Sequence, residues 1–465
     1  MTSTLEEFEP PVGTPCPRSA QSTARGRLTT AVLAIGLLLI SLNLRTGVAS
    51  VGPVLTNIRD DLGLSATAAS LLTTIPAVAF GAFAFLAPWL TRRLGMYRLL
   101  GMAMVTVAAG IVLRLQPSLT SLFAGTIIVG AAIAVANVVM PAAIKHDFPD
   151  RVGLMMGLYS TSLFLSASLA DGLTVPLLPL AGGHWRLALA FWSIPAVAAF
   201  LAWAPQLLRS PGPAGQAHKA ASVRSAQGPS FPAILTDPVA VSVTVLMGIQ
   251  SMGYYATLTW LPSLLQDHGM DPHGAGWMLS YSAFPGIAAA LLCPALAKQT
   301  RPAWIPIAVS SVLDGAAYAG LAVAPVHAAY LWTTLLGLGQ GASLSLSLSY
   351  IAWRSPDARH TAHVSTMAQG FGYLLASVGP IGVGAIHDAS GGWTVPLVVL
   401  GALLVPQLMS GTIASREGHV LAGRKRTARR PMIRRRSGGG RHTAPGSRGA
   451  GPRSTAALAP VRGRE

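Results

Sequence analysis

Residues 31–55 read AVLAIGLLLISLNLRTGVASVGPVL, an apolar stretch that a single arginine, Arg45, interrupts. A helix needs roughly 20 residues to cross a bilayer core of about 30 Å, so the stretch is long enough to span a membrane. An arginine at the centre of such a helix costs roughly 2.5–3.5 kcal/mol on insertion scales. The stretch therefore predicts a membrane-spanning helix, and it marks Arg45 as a residue whose function compensates for this cost.

The rest of the chain has the composition of a membrane protein. Of its 465 residues, 51% are hydrophobic and only 11% are charged, and the mean hydropathy is +0.52. Soluble chains carry about 25% charged residues. Apolar runs of spanning length, which we number spans 1 to 12, lie at about 29–55, 67–90, 98–116, 119–141, 153–177, 186–206, 237–262, 277–298, 303–324, 328–352, 364–387 and 393–414. We therefore predict an all-α polytopic membrane protein with twelve transmembrane helices.

Basic residues predict the orientation of the spans. If the N-terminus is cytoplasmic, the cytoplasmic loops hold most of the lysines and arginines, namely Arg92, Arg93, Arg98, Lys145, Arg151, Arg209, Lys219, Arg224, Lys298, Arg301, Arg354 and Arg359. The outer loops hold little beyond Arg59, with Arg114 and Arg186 at helix ends. This asymmetry follows the positive-inside rule and predicts a multi-pass protein of the plasma (inner) membrane with both termini in the cytoplasm.

The net charge of +17 does not indicate a nucleic-acid partner. Most of it lies in residues 416–465, a tail with fourteen Lys and Arg against two Glu and many Gly, Pro and Ser residues. Such a segment cannot bury a core, and it lacks the interleaved aromatic residues that stack on bases. We expect it to be disordered and to lie near anionic lipid headgroups.

The chain repeats itself once. Pro53, the motif DLGLS at 61–65, PDR at 149–151 and GGHW at 182–185 are matched in order by Pro262, DHGMD at 267–271, PDAR at 356–359 and GGW at 391–393. Four matched features indicate a parallel six-plus-six repeat. We therefore divide the chain into a disordered cytoplasmic arm 1–27, a six-helix bundle 28–206, a cytoplasmic linker 207–236, a second six-helix bundle 237–415 and the basic tail 416–465.

Several motifs carry a specific resemblance. NLR at 43–45, NVVMP at 137–141, QSMGYYATLTWLP at 250–262 and AQGFGYLLASVGP at 368–380 fall on spans 1, 4, 7 and 11. In this respect the chain, over about 28–415, resembles the cyanate and 2-nitroimidazole transporter family of the major facilitator superfamily. The resemblance implies that spans 1, 4, 7 and 10 line a central cavity and that spans 2, 5, 8 and 11 rock around it. The superfamily's gating loop between spans 2 and 3 is matched only in part, by Arg93, Gly95 and Arg98, and Arg92 stands where an aspartate is usual.

Polar residues at membrane depth are the candidate substrate ligands. Arg45 offers a planar fork of donors that suits carboxylates and other planar anions, although it could instead brace span 1. Gln250 and Tyr254 share a helix face, and Gln369 and Tyr373 repeat that spacing. If span 1 is one continuous helix, Asn43 points about 200° away from Arg45, so the two cannot both face the cavity squarely. The candidate substrate-binding set is Arg45, Asn43, Asn137, Gln250, Tyr254, Gln340, Gln369 and Tyr373.

The other chemistry-bearing residues form no enzyme site. We find no Walker loop, no paired metal ligands and no Ser/His/Asp set, so we expect no catalytic residues, no metal and no cofactor. Asp171 on span 5 is a candidate proton site. The coupling ion cannot be identified from the sequence.

These features predict a monomeric secondary transporter that moves a small anionic or polar nitrogen-containing solute across the plasma membrane by alternating access. Its partners would be a small-molecule substrate and membrane lipids, with no nucleic acid. One alternative is the efflux of a neutral drug-like heterocycle such as a nitroimidazole. Another is a non-transporting membrane sensor on a transporter scaffold, which a structured cytoplasmic domain would favour.

The orientation can be tested by cysteine labelling. We expect single cysteines placed in 207–236 or 416–465 to escape a membrane-impermeant maleimide in sealed, right-side-out cells, because both segments are predicted to be cytoplasmic. A cysteine beside Arg59 should react and serves as the positive control. Strong labelling of either basic segment would contradict the predicted orientation.

Overall fold

The computed structural model describes residues 18–209 and 231–421, and every regular element within them is helical. Most of the predicted N-terminal arm, most of the linker and nearly all of the basic tail lie outside the described residues. Eleven of the described helices are long and apolar enough to cross a membrane. A twelfth span forms if the bent pair Leu71–Ala84 and Ala87–Leu94, with 59° between its parts, is one unit. The predicted all-α polytopic fold is confirmed.

The helices follow the predicted order of spans. In the first half, span 1 comprises Arg18–Ser41, Thr46–Ala49, the short 3₁₀ helix Gly52–Val54 and Leu55–Leu62. Span 2 comprises Ala66–Ala84 and Ala87–Leu94. The next three spans are Met96–Leu113, Leu119–Asp147 and Val152–Leu180, and a 3₁₀ turn at Pro149–Arg151 precedes span 5. Span 6 comprises Trp185–Phe191 and Ser193–Arg209.

The second half begins with a short helix, Phe231–Leu235. Spans 7 to 10 are Pro238–Asp267, Pro272–Gln299, Ile305–Val323 and Ala329–Trp353. Span 11 comprises Ala358–Ala376 and Val378–Ser390, and span 12 is Thr394–Ser415.

Span 1 is broken where the sequence predicts a continuous helix. Residues 42–45 form turns, and Arg45 stands at the N-cap of the four-residue helix Thr46–Ala49 with φ −126°. The backbone N–H of Arg45, freed from the helical ladder, donates to Ser166 Oγ on span 5 at 3.1 Å. The helical spacing that we expected between Asn43 and Arg45 therefore does not apply. The break is stabilised by a polar group of the neighbouring span, as helix breaks inside membranes require.

The internal repeat appears in the structure as matched contacts. Ser65 caps span 2 by accepting from Ala68 N–H, and Asp271 caps span 8 by accepting from Gly274 N–H. The two tryptophans of the repeated GGHW and GGW motifs donate to matched aspartates: Trp185 Nε1 to Asp61 at 3.1 Å, and Trp393 Nε1 to Asp267 at 2.8 Å. Each pair ties the end of the first span of its half to the start of the last.

The two halves pack closely near one end of the bundle. We call this end the basic face, defined by the span ends that carry Arg92, Arg98, Lys145, Lys298 and Arg354. Close approach there depends on glycine. A methyl group at Gly157 on span 5 would lie 2.9 Å from the backbone oxygen of Leu291 on span 8, and one at Gly153 would lie 3.1 Å from Lys298 Cε. Hydrogen bonds between the halves include Gln369 Nε2 to the Asn137 carbonyl at 2.8 Å.

The repeated aspartate–tryptophan pairs should contribute to stability. Trp393→Phe keeps an aromatic ring but removes the N–H that donates to Asp267. Because Asp267 is solvent-exposed and water can replace the donor, we expect a loss of about 1 kcal/mol in unfolding free energy, seen as a lower melting temperature. Trp185→Phe should act in the same direction. Asp388→Asn, whose side chain is 86% exposed, is the control. Unchanged melting temperatures for both tryptophan variants would contradict a structural role for the pairs.

Candidate functional site

Arg45 connects the two halves of the molecule. Its guanidinium donates to the hydroxyl of Tyr255 on span 7 through Nη1, and to that of Tyr373 on span 11 through Nη2 at 3.2 Å. The break in span 1 places the residue where its side chain can reach across to the second half. A residue of the first half thus forms hydrogen bonds with two spans of the second.

Aromatic rings surround the same guanidinium. Its carbon lies 5.6 Å from the centroid of Phe80, 5.8 Å from that of Tyr255 and 5.9 Å from that of Tyr373. Arg45 is 8% exposed. Cation–π contacts of this length contribute about 0.5–2 kcal/mol each, the larger values applying to desolvated sites.

No acidic side chain neutralises Arg45 within 18–209 and 231–421. Phenol hydroxyls and ring faces are dipoles and quadrupoles, which stabilise a cation without cancelling its charge. Removing an ion from water costs several kcal/mol even after relaxation of the surroundings. Arg45 therefore carries a buried positive charge that the described residues do not neutralise.

Asn137 and Gln369 lie together beside this cluster. Tyr159 donates its hydroxyl to Asn137 Oδ1 at 3.0 Å, and Gln369 Nε2 donates to the Asn137 carbonyl and to Ser365 Oγ, each at 2.8 Å. Two polar atoms remain buried without a hydrogen bond, Asn137 Nδ2 and Gln369 Oε1. They offer one donor and one acceptor at the boundary between spans 4 and 11.

A cavity of about 40 Å³ opens between spans 5, 7, 8 and 10. Its walls include Tyr254, Gln340 and Asp171, three of the predicted site residues. Tyr254 adjoins the arginine cluster, because its ring lies 5.4 Å from that of Tyr255. This volume can hold about three water molecules. Asp171 forms no ion pair with a lysine or arginine in the described part of the chain.

Two predicted ligands lie elsewhere. Asn43 donates to the carbonyls of Leu39 at 2.8 Å and Pro195 at 3.2 Å, so it joins span 1 to span 6. Gln250 donates to Ser251 Oγ at 2.6 Å and lines a separate cavity inside the second half. Neither contacts the arginine cluster in this conformation.

The predicted gating corner has the expected turn but no ion pair. Gly95 joins spans 2 and 3 with φ 80°, a conformation that favours glycine. Arg93 lies over the ring of Trp89, with its guanidinium carbon 4.6 Å from the centroid. Among the described residues, neither Arg93 nor Arg98 forms a salt bridge, in keeping with the replacement of the usual aspartate by Arg92.

Three aromatic residues of this region were not among the candidates predicted from the sequence, and Arg114 was not predicted as part of the site. Phe80, Tyr159 and Tyr255 belong to the cluster around Arg45, and Arg114 donates from Nη1 to the Gly47 carbonyl at 2.8 Å, just beyond the break in span 1. Arg114 stands at the C-terminal end of the helix Met96–Leu113, as the sequence predicts, and it is 1% exposed. Tyr255 stands next to Tyr254 in the motif QSMGYYATLTWLP, so the doubled tyrosine was the available signal.

Comparison with known proteins places these features in a family. The Major Facilitator Superfamily model matches residues 33–380. An uncharacterized transporter, YycB of Bacillus subtilis, is 37% identical over 84% of this chain and 96% of its own length. The 2-nitroimidazole transporter of Escherichia coli is 35% identical over 84% of this chain and 96% of its own length. The cyanate transport protein CynX of Escherichia coli is 29% identical over 79% of this chain and 94% of its own length.

Solved structures share the fold. The proton:xylose symporter XylE superposes with a TM-score of 0.65 at 15% identity, over 82% of this chain and 94% of that one. FucP in its outward conformation superposes with a TM-score of 0.63 at 14% identity, over 84% of this chain and 99% of that one.

Close packing of spans 2 and 11 can be tested at Gly81. A methyl group there would lie 2.5 Å from Leu374 Cγ and 2.9 Å from the Gly370 carbonyl, well inside the roughly 3.5–4.0 Å of a favourable contact. We expect Gly81→Ala to separate the spans and to favour a conformation open at the basic face. A single cysteine replacing the buried Ser365, with Cys16 and Cys293 replaced, should then react several-fold faster with a thiol reagent.

Gly401→Ala on span 12 is the control, since a methyl group there meets nothing within 4 Å. Equal labelling rates in the two alanine variants would show that close packing of spans 2 and 11 does not hold the basic face closed.

Proposed function

The chain belongs to the major facilitator superfamily of membrane transporters, and we propose that it moves a small anionic or polar nitrogen-containing solute across the plasma membrane. Movement would be secondary, by alternating access of a site between the two halves. The observation that carries this proposal is the guanidinium of Arg45, which is buried between the halves and has no acidic partner in the described residues.

The chemistry of Arg45 favours a planar anion. Its donors lie in one plane, and they can form two parallel hydrogen bonds to a carboxylate or a similar group. The phenols of Tyr255 and Tyr373 accept from the two terminal nitrogens, Nη1 and Nη2. An anion would replace the phenols and neutralise the charge, which gives the site its affinity. The similarity to a cyanate transport protein supports a small anionic solute, although cyanate is linear and would accept at one end.

Binding at Arg45 would also couple the solute to the conformational change. The two phenols belong to spans 7 and 11, so displacing them breaks hydrogen bonds between the halves. A ligand shifts a conformational equilibrium only by its difference in affinity for the two states. An anion that takes over the donors of Arg45 provides such a difference.

Asp171 would serve as the proton site. Its carboxyl lines the cavity next to Tyr254 and pairs with no cation in the described residues. A negative charge there would repel an anion in the cavity, whereas a protonated carboxyl would not. Uptake of a proton with the anion would therefore favour loading.

A neutral heterocycle is the second candidate. Three aromatic rings lie within 6 Å of the guanidinium carbon, and such surfaces also stack on flat ring systems. The similarity to a 2-nitroimidazole transporter supports this alternative. Arg45 would then act mainly as a brace between the halves.

Variants of Arg45 distinguish the two candidates. Loss of one partner from a desolvated charged pair costs about 2–5 kcal/mol, so Arg45→Gln should weaken cyanate binding by a factor of about 30 or more. Arg45→Lys should also bind poorly, because an ammonium lacks the planar fork. Both variants should have melting temperatures close to that of the parent protein.

Arg186→Gln is the matched control. Arg186 lies away from the arginine cluster and forms a salt bridge of 2.7 Å with Asp61. It should leave cyanate affinity unchanged. Transport of radiolabelled cyanate and of a nitroimidazole into proteoliposomes, measured for all variants, completes the test. Well-folded Arg45 variants with unchanged cyanate affinity would rule out the ligand role, and variants that lose stability but keep affinity would favour the brace.

A further inference from the structure

The second half contains a buried acid that the proposed transport step does not use. Asp314 lies on span 9, is 3% exposed, and its Oδ1 is buried without a hydrogen-bond partner. Among the described residues, no lysine, arginine or histidine lines the cavity beside it. An unpaired carboxylate at this depth is costly, and acids inside membrane spans mark ion pathways and sites.

The cavity next to Asp314 has a volume of about 10 Å³. This volume can hold about one water molecule. It lies within the second half, between spans 7, 9, 10 and 12. Its polar lining consists of Gln250, Asp314, Tyr318, Gln340, Ser343 and Gln407.

Three amides face this cavity with their nitrogens already in use. Gln250 Nε2 donates to Ser251 Oγ at 2.6 Å, and Gln340 Nε2 donates to Thr257 Oγ1 at 3.0 Å. Gln407 Nε2 donates to the hydroxyls of Ser311 at 3.3 Å and Ser343 at 3.4 Å. Each amide also carries an oxygen, which can accept a hydrogen bond or coordinate a cation. The lining thus combines one carboxylate with several neutral oxygens.

Gly339 on span 10 keeps room for the carboxylate. A methyl group at this position would lie 2.2 Å from Asp314 Oδ1 and 2.6 Å from its Cγ. No side chain larger than glycine is therefore compatible with the observed position of the acid. The packing holds Asp314 at the cavity.

We propose that Asp314 and the amide oxygens of Gln250, Gln340 and Gln407 form a binding site for a sodium ion. Carboxylate and carbonyl oxygens are the ligands of hard cations. One carboxylate balances a single positive charge, and the described residues contain no group of three acidic, histidine or cysteine side chains that could hold a multivalent metal. A proton would need only the carboxyl group and would leave the oxygen-rich lining unexplained.

This inference rests on the proposed transport function and adds a sodium ion to the proton assigned to Asp171. Span 7 carries both Gln250 and Tyr255, the partner of Arg45, and Gln340 on span 10 lines both the sodium cavity and the cavity beside Tyr254. Sodium at Asp314 would therefore order the two spans that face the substrate. Ion and solute would bind cooperatively, because each stabilises the same arrangement of spans 7 and 10.

Sodium binding can be measured without any substrate. The purified full chain in detergent should show a saturable rise in melting temperature with NaCl, and none with KCl or choline chloride at equal ionic strength. ²²Na⁺ should bind with a stoichiometry of one per chain. Equal melting curves in NaCl and KCl, or no ²²Na⁺ binding, would overturn the proposal. A pH-dependent melting temperature that Asp314→Asn abolishes, without any response to sodium, would equally do so, since it would assign a proton to Asp314.

Variants locate the site. Asp314→Asn should lose the sodium-dependent shift, yet melt in sodium-free buffer at or above the temperature of the parent protein, because it buries an amide instead of an unpaired carboxyl. Gln407→Leu keeps the acid and removes one oxygen, so sodium affinity should fall by about tenfold or more. Retention of the full sodium shift by either variant would contradict the assigned ligands.

Two further variants are controls. Asp171→Asn removes the other unpaired acid at membrane depth and should keep the sodium shift. Arg45→Gln should also keep it while losing cyanate affinity. Failure of the substrate proposal would therefore appear only in the cyanate measurements, and failure of the sodium proposal only in the melting and ²²Na⁺ measurements.

Discussion

The arrangement of this transporter depends on a buried guanidinium that no acid neutralises within residues 18–209 and 231–421. Arg45 can lie between the halves only because span 1 breaks at residues 42–45, and the break persists because Ser166 accepts the freed N–H of Arg45. Arg114 adds a second contact by donating to the Gly47 carbonyl just beyond the break. The cost of unwinding a membrane helix is thus offset by polar groups of the neighbouring spans. The unwound segment brings a cationic group to both Tyr255 and Tyr373.

The two halves contribute differently around this centre. The first half supplies the charge, and the second supplies the phenols that accept hydrogen bonds from it. Glycines at the basic face allow spans 2 and 11, and spans 5 and 8, to approach to backbone contact. At the opposite end, the repeated pairs Asp61–Trp185 and Asp267–Trp393 tie each half to itself. Each half is therefore braced internally, and under the proposed mechanism the contacts between the halves are those that would break and form again.

Much of the fold could be predicted from the sequence, because membrane helices are identified by composition and length alone. The twelve spans, the caps at Ser65 and Asp271 and the matched halves follow from local patterns. The break in span 1 could not be predicted, because its partner Ser166 is distant in the chain. For the same reason, the predicted direction of Asn43 relative to Arg45 was wrong, because it assumed a continuous helix through residues 42–45.

The candidate site was predictable only in part. Arg45 and Tyr373 were identified as polar groups at membrane depth, and the structure brings them together. Tyr255 was missed in favour of Tyr254 because the two are adjacent on one helix, and only the packing of the halves decides which hydroxyl reaches Arg45. Phe80 was missed because an apolar ring in an apolar helix has no distinguishing pattern. Gln250 was grouped with Tyr254 by spacing, but its amide turns into the second half towards Asp314.

The central claim is that Arg45 provides an unneutralised positive charge for the solute. The most direct measurement is calorimetric titration of the purified protein with two small solutes of similar size, cyanate and a neutral amide. The account predicts measurable, salt-sensitive binding of the anion and much weaker binding of the neutral compound. Equal affinity for both, or binding of the neutral compound alone, would contradict it.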